Sequence, residues 1–141
     1  MDTTNYQFYH KIEIQIRMND LDAIGHVNNG VQLFYFDIGR VDYLKRINKT
    51  MIDWKNPELV IVHTECDYKD SILFDDVIFV ETKTIEVGKK SVKMLQRIID
   101  DKGAIKSTCY SVLSGFDIKA NTSKEISQEI KEKLLKVEGL L

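Results

Sequence analysis

Cysteine is scarce in this chain, which has two, Cys66 and Cys109. Two thiols make neither a disulfide framework nor a four-ligand metal site, and their pairing is left to the chance of folding. A reducing cytoplasm is the expected compartment. Long apolar runs are missing as well: none approaches the roughly 20 residues that cross a bilayer, so no membrane partner is expected. The opening Met1-Asp2-Thr3-Thr4-Asn5 has neither a basic segment nor an apolar one, which argues against a secretory signal. Charge of one sign is not in excess, with 20 Lys and Arg against 22 Asp and Glu, so no nucleic-acid partner is expected. Repeats, linkers and low-complexity segments are also absent. What remains is a chain of 141 residues, 43% hydrophobic and 30% charged. That is the composition of an ordinary soluble globular protein forming one domain over residues 1–141.

The patterning predicts the elements. Lys11 to Arg17 alternates strictly, with Ile12, Ile14 and Ile16 on one face, as a half-buried strand does. From Val31 to Leu44 apolar residues crowd about four turns on nearly every side, which predicts a helix surrounded by protein, with Asn28 as N-cap and Gly39 as its weakest point. Leu59 to Tyr68, just after the only proline, Pro57, is rich in β-branched residues. Val77 to Val87 and Ser91 to Ile99 flank the hairpin signal Gly88-Lys89-Lys90, and Asp100-Asp101-Lys102-Gly103 turns the chain into Ala104 to Phe116. Thr122-Ser123-Lys124-Glu125 has the form of a capping box ahead of a short amphipathic helix carrying Ile126, Ile130 and Leu134. The order is strand, long apolar helix, four strands, short helix. This is an α+β chain in which a strongly curved antiparallel sheet wraps the long helix. Unpaired sheet edges predict at least a dimer.

The chemistry concentrates in Arg17-Met18-Asn19-Asp20-Leu21-Asp22-Ala23-Ile24-Gly25-His26-Val27-Asn28-Asn29. Two carboxylates, a glycine turn and two asparagines stand immediately before the apolar helix. Such a loop supplies a negative side chain beside free helix N-terminal amides, which leave about four donors unpaired and carry a partial positive charge. Acyl transfer needs this pairing of an attacking or water-activating group with a donor for the developing oxyanion.

The string Asp20-Leu21-Asp22-Ala23-Ile24-Gly25-His26-Val27-Asn28-Asn29, with Phe34-Tyr35-Phe36-Asp37 and Glu65-Cys66-Asp67-Tyr68 behind it, resembles the hotdog-fold acyl-CoA thioesterases, in the branch of 4-hydroxybenzoyl-CoA thioesterase. The resemblance runs roughly from Tyr9 to Phe116. It implies a hotdog fold, sites at the interface of a homodimer or homotetramer, and hydrolysis of an acyl-CoA or acyl carrier protein thioester to free acid and thiol. Coenzyme A enters as part of the substrate, and neither cofactor nor metal is implied. Carried over position by position, the catalytic carboxylate falls on Asp22, and the amide that polarises the thioester carbonyl falls on Asn29. Where the family often continues with a basic residue and proline after Tyr68, this chain reads Lys69-Asp70-Ser71, which puts the turn's shape in question.

Each candidate also has a plainer role. Asp22 is a turn or capping residue on local grounds alone. Asp20 is expected to bond loop amides, and Gly25 to allow a positive φ or close approach of the thioester. His26, tempting as a base, is expected chiefly to hold the loop against the neighbouring strand or subunit, and Asn28 to cap. Phosphate binding by coenzyme A suits the cations and amides of Gly88-Lys89-Lys90-Ser91, which also read as a solvated hairpin tip. His63 and Glu65 share a face of one strand as a surface or interface pair rather than metal ligands. Asp37 reads as a structural partner of Arg40. Leu33, Phe34 and Tyr35 are the expected lining of the acyl pocket. Three other classes compete. A phosphoryl-transfer D-x-D site wants a parallel sheet and further carboxylates, and a hotdog dehydratase wants a differently spaced helix motif. A non-catalytic acyl-CoA-binding hotdog module fits the same string.

Overall fold

The computed structural model describes residues 1–141, the side chain of Thr50 excepted. Six strands and two α-helices follow the expected order: β1 His10–Ile14, α1 Asn29–Ile47, β2 Leu59–Tyr68, β3 Ile78–Val87, β4 Ser91–Asp100, β5 Ile105–Asp117, β6 Thr122–Ser123 and α2 Gln128–Val137. The sheet is antiparallel in the order β1-β3-β4-β5-β2, with β6 added beside β5. Strands β3, β4 and β5 form the meander that their turn signals predict. The β4–β5 turn is closed by Asp100, whose Oδ1 accepts from Lys102 N and Ala104 N, both at 2.9 Å.

Helix α1 lies across this sheet, and two apolar clusters hold it there. One joins Tyr35 and Phe36 of its first half to Ile14, Ile78, Val80 and Ile98. The other joins Tyr43 and Leu44 to Val92, Met94, Leu113 and, from α2, Ile130 and Leu134. Gly39, the residue of lowest helix propensity here, has a packing reason. A Cβ at this position would stand 2.4 Å from Val80 Cγ1, so only glycine lets the helix approach β3 this closely. Arg40, buried beneath the helix, donates to Asp37 Oδ1 at 2.7 Å and to Gln96 Oε1 at 2.9 Å, and Gln96 donates onward to Phe36 O and Thr82 Oγ1. Asp37 is therefore the structural partner expected for Arg40.

Three expectations change. Strand β1 ends at Ile14, although the inward face continues to a half-buried Ile16. Thr122 and Ser123 do not cap a helix. They pair with Asp117 and Phe116 as β6, because Asn121 takes a positive φ of 53° and Asp117 Oδ1 accepts from Lys119 N and Ala120 N to close a tight turn. Helix α2 begins five residues later, where Ser127 accepts from Ile130 N at 3.2 Å. Third, α1 is not covered on every side within one chain. Leu33, Phe34 and Ile38 face outward at 39%, 66% and 48% exposure, and the edge strand β2 exposes Ile61 and Val62. Cys66 and Cys109, whose pairing the sequence leaves open, stand directly opposite one another in the β2–β5 ladder as free thiols.

Candidate active site

The loop between β1 and α1 is built from its own side chains. A single 3-10 turn at Met18–Asp20 starts it. Asp20 Oδ2 accepts from Arg17 N at 3.0 Å and from the Tyr35 hydroxyl at 2.6 Å, while its carbonyl takes Asn28 N at 2.9 Å. Asp20 thus ties both ends of the loop to the helix, the structural role expected of it. Burial, reinforced by the Asp20 bond, pushes the Tyr35 hydroxyl pKa up, so the phenol stays a donor.

Asp22 closes the tip. Its Oδ1 accepts from Ile24 N at 3.0 Å and His26 N at 3.1 Å, and its backbone N donates to His26 O at 2.8 Å. Gly25 N donates back to Asp22 O at 3.1 Å with φ at 81°, so the glycine here serves the left-handed turn. The local turn role of Asp22 is therefore real, yet it uses one oxygen. The other, Oδ2, bonds to none of the described residues. Val27 N bonds to Ile72 O at 2.8 Å and His26 bridges to Leu73, which clamps the loop onto the segment leading into β3.

Asn28 is the N-cap, accepting from Gly30 N at 2.7 Å. That bond removes Gly30 N from the set of free amides. Asn29 is the first residue of α1, and its backbone N–H has no hydrogen-bond partner among the described residues. Asp22, His26, Asn28 and Asn29 line one open cavity of about 530 Å³, together with Gln32, Tyr68, Lys69, Asp70 and Ser71. Four of the five expected catalytic-site residues thus meet there, and Gly25 supports the tip beside it.

The cavity differs from the expected acyl pocket. Leu33 and Phe34 point away from it, Tyr35 lines a separate hollow with Asp20, and Ile24 and Val27 are its aliphatic walls. The turn after Tyr68 keeps its shape without proline because Lys69 N and Asp70 N both donate to Lys106 O, at 2.9 and 3.0 Å, and Lys106 Nζ holds Asp70 Oδ2 at 3.0 Å. The Lys106 bond and charge hold the Asp70 carboxyl below the usual range. The Tyr68 hydroxyl, its pKa raised chiefly by burial, donates to Asn29 O at 3.2 Å and so braces the helix start.

Lys89, Lys90 and Ser91 do not join this cavity. They sit in the β3–β4 hairpin, where Gly88 N bonds to Ser91 O at 2.8 Å and Lys89 pairs with Glu125 at 3.2 Å. The cavity lies at the start of β3 and the hairpin at its end, about 30 Å apart at the usual rise per residue. His63 and Glu65 form an exposed pair at 2.9 Å on β2. Among the described residues no three His, Cys, Asp or Glu side chains gather as metal ligands.

Residues 16–134 match the model of the thioesterase-like superfamily. The chain belongs to this family. A thioesterase from Thermus thermophilus, solved with coenzyme A and zinc, superposes with a TM-score of 0.85 at 28% identity over 94% of this chain and 96% of that one. The hotdog fold is thereby established. Acyl-CoA thioesterase YbgC of Haemophilus influenzae is 26% identical over 104 residues, 68% of this chain and 76% of that protein. YsmA of Bacillus subtilis is 29% identical over 91 residues, which are 64% of this chain and 60% of YsmA, so the match spans less than two thirds of that relative. In this thioesterase-like chain, the sequence singles out Asp22 and Asn29, which line one cavity, and names Tyr68 to Ser71 only as a motif and a turn, but it does not single out Gln32. Gln32 carried one faint signal, a long polar side chain inside an otherwise apolar helical run.

Proposed function

We propose that this chain hydrolyses an acyl-coenzyme A thioester to the free acid and thiol. The observation that carries the proposal is that Asp22, whose Oδ2 is unengaged, and Asn29, whose N–H is unpaired among the described residues, line one cavity. The thioester carbonyl accepts from Asn29 N–H at the positive end of α1, where a single well-aimed donor is worth about 100- to 1,000-fold in rate. Asp22 Oδ2 then either attacks the carbonyl, giving a mixed anhydride that water opens, or removes a proton from attacking water. Both routes place negative charge on the carbonyl oxygen and expel the thiolate. Asn28 and Tyr68 keep the donor in place, and Gly25 and His26 hold the loop that carries the carboxylate. The thioesterases similar to this chain, one of them holding coenzyme A, support the choice of substrate.

The finer parts of the reading belong to the same proposal. The outward Phe34 and Ile38 and the open edge of β2 favour a homodimer or homotetramer. A second copy is also required if Lys89, Lys90 and Ser91 are to meet the phosphates of coenzyme A, because one chain keeps them remote from its own cavity. The free thiols favour a cytoplasmic location. An acyl carrier protein thioester offers the same reacting group as the coenzyme A ester.

The test is free-thiol release from a panel of acyl-CoAs by the wild type, Asp22→Asn and Asp22→Ala. Asparagine keeps an oxygen for Ile24 N and His26 N, so Asp22→Asn is expected to lose at least about 100-fold in kcat with an unchanged melting temperature. Asp22→Ala should lose the same activity and about 1 kcal/mol of stability as well. Full activity in Asp22→Asn removes Asp22 from the mechanism. Saturable binding of acyl-CoA with no thiol release by the wild type replaces the hydrolase with a binding module.

A further inference from the structure

The thiols of Cys66 and Cys109 have no part in the hydrolase reading. They stand directly opposite one another on β2 and β5, both free. The bond from Lys69 N to Lys106 O at 2.9 Å sets the phase of this ladder. Bonded and non-bonded pairs alternate from there, which makes Cys66 and Cys109 a non-hydrogen-bonded pair. In such a pair the Cα atoms are about 4.5 Å apart and the side chains are at their closest. That spacing falls within the span of about 4.4–6.8 Å that a disulfide bridges. Directly opposed residues also project from the same face of a sheet, and here that face carries α1. Cys109 belongs to the apolar cluster under the first half of α1, and Cys66 packs against this cluster from the edge strand.

The two thiols are unequal. Cys66 is half-buried on an open edge, whereas Cys109 is 1% exposed. The bond between them, with the charge of Arg40, holds the Cys66 thiol below its ordinary range. The same bond, and then burial, push Cys109 up. A reachable thiol of greater thiolate character beside a second thiol is the arrangement of an attacking cysteine and its resolving partner. We infer that Cys66 and Cys109 are a peroxide-reactive pair that closes into a reversible intrachain disulfide. The Cys66 thiolate attacks hydrogen peroxide, the O–O bond breaks, and the departing hydroxide takes up the thiol proton as water. The Cys109 sulfur then attacks the sulfenic acid on Cys66. The S–S bond forms as the S–O bond breaks, and the Cys109 proton leaves with the hydroxyl as a second water. The two thiols thereby lose two electrons, and peroxide is reduced to two waters. The new bond ties the edge strand to β5 two residues before Tyr68, and a thiol reductant reopens it.

The experiment treats the native wild type with hydrogen peroxide at a dose that fully oxidises the same chain in guanidinium chloride. Its peptides are then mapped without reduction. The expected product is about 2 Da lighter, joins the Cys66 and Cys109 peptides of one chain, and regains both thiols in dithiothreitol. Cys109→Ala keeps the attacking thiol without its partner, so it should accumulate a sulfenic acid that dimedone traps. Cys66→Ser keeps only the buried thiol and should react at least about 10-fold more slowly. Oxygen added to either sulfur without a link overturns the inference, as does a link between the Cys66 residues of two chains. Thiols that survive the dose in the native protein, or equal reactivity of the two single variants, overturn it too. The wild-type peptide map decides the matter even where a variant fails to fold.

Discussion

Asp22 shows how one carboxylate can close a turn with one oxygen and leave the other unengaged. Its Oδ1 is committed to Ile24 N and His26 N, which holds the carboxylate and leaves Oδ2 unengaged on a residue that lines the cavity. The rigidity depends on Gly25. With φ at 81° and nothing within 4 Å of a Cβ built there, its replacement meets backbone strain and no steric obstacle. Gly25→Ala is therefore expected to cost about 1–2 kcal/mol, and Gly25→Asn less, since asparagine tolerates the left-handed region. Chemical denaturation of the three proteins checks the order; equal stabilities would mean the loop relaxes to another turn. These roles were legible in the sequence because each is local: Asp, Gly and Asn within a few residues of a helix start state their own geometry. Gln32 and Tyr68 were not, because their meaning lies in burial and in a contact made 39 residues away.

At the scale of elements, the strongest periodic signals survived and the weakest boundary did not. The five principal strands and α1 were legible from alternation and from turn residues. The capping-box string at Thr122 was overruled by ladder pairing with β5 and by a competing cap at Ser127, and no local pattern weighs one against the other. Ser127→Ala should thus destabilise by about 1 kcal/mol, while Thr122→Ala stays within about 0.5 kcal/mol; urea midpoints distinguish them, and the opposite order would return the helix start to Thr122. The turn that follows β2 titrates. Asp70 has its folded pKa below the ordinary value of 3.8, through the bond and charge of Lys106. Its contribution is therefore present above that value and is lost as pH falls through the folded one. The difference in melting temperature between the wild type and Asp70→Asn is expected to hold from about pH 8 to pH 5 and to close below about pH 4. A difference that persists unchanged at lower pH would show that the Asp70–Lys106 pair does not shape this turn.

For the molecule as a whole, one chain is an incomplete enclosure. Its long helix leaves Phe34 and Ile38 outside, β2 is open along its length, and the two lysines suited to phosphates stand at the far end of β3 from Asp22. The helix is legible in the sequence, and the lysines are visible there only as candidates, because distance along a chain does not say which site a residue serves once two copies associate. If a second copy brings its hairpin to this cavity, defects in the two places must complement. On the proposed roles, Asp22→Asn alone is expected to lose at least about 100-fold in kcat, and the double variant Lys89→Ala, Lys90→Ala to show a raised KM for coenzyme A esters. Refolded together in equal amounts, half of the dimers carry one copy of each. In such a dimer one site holds both defects and the other holds neither. The mixture is expected to show two components, about a quarter of the wild-type kcat at the wild-type KM from the mixed dimers and about a quarter at the raised KM from the double-variant dimers. Were the lysines to serve their own chain, the mixture would show only the raised KM of the double variant. An unchanged KM in the double variant by itself would remove the hairpin from phosphate binding and leave the Asp22 cavity as the whole of the coenzyme A site.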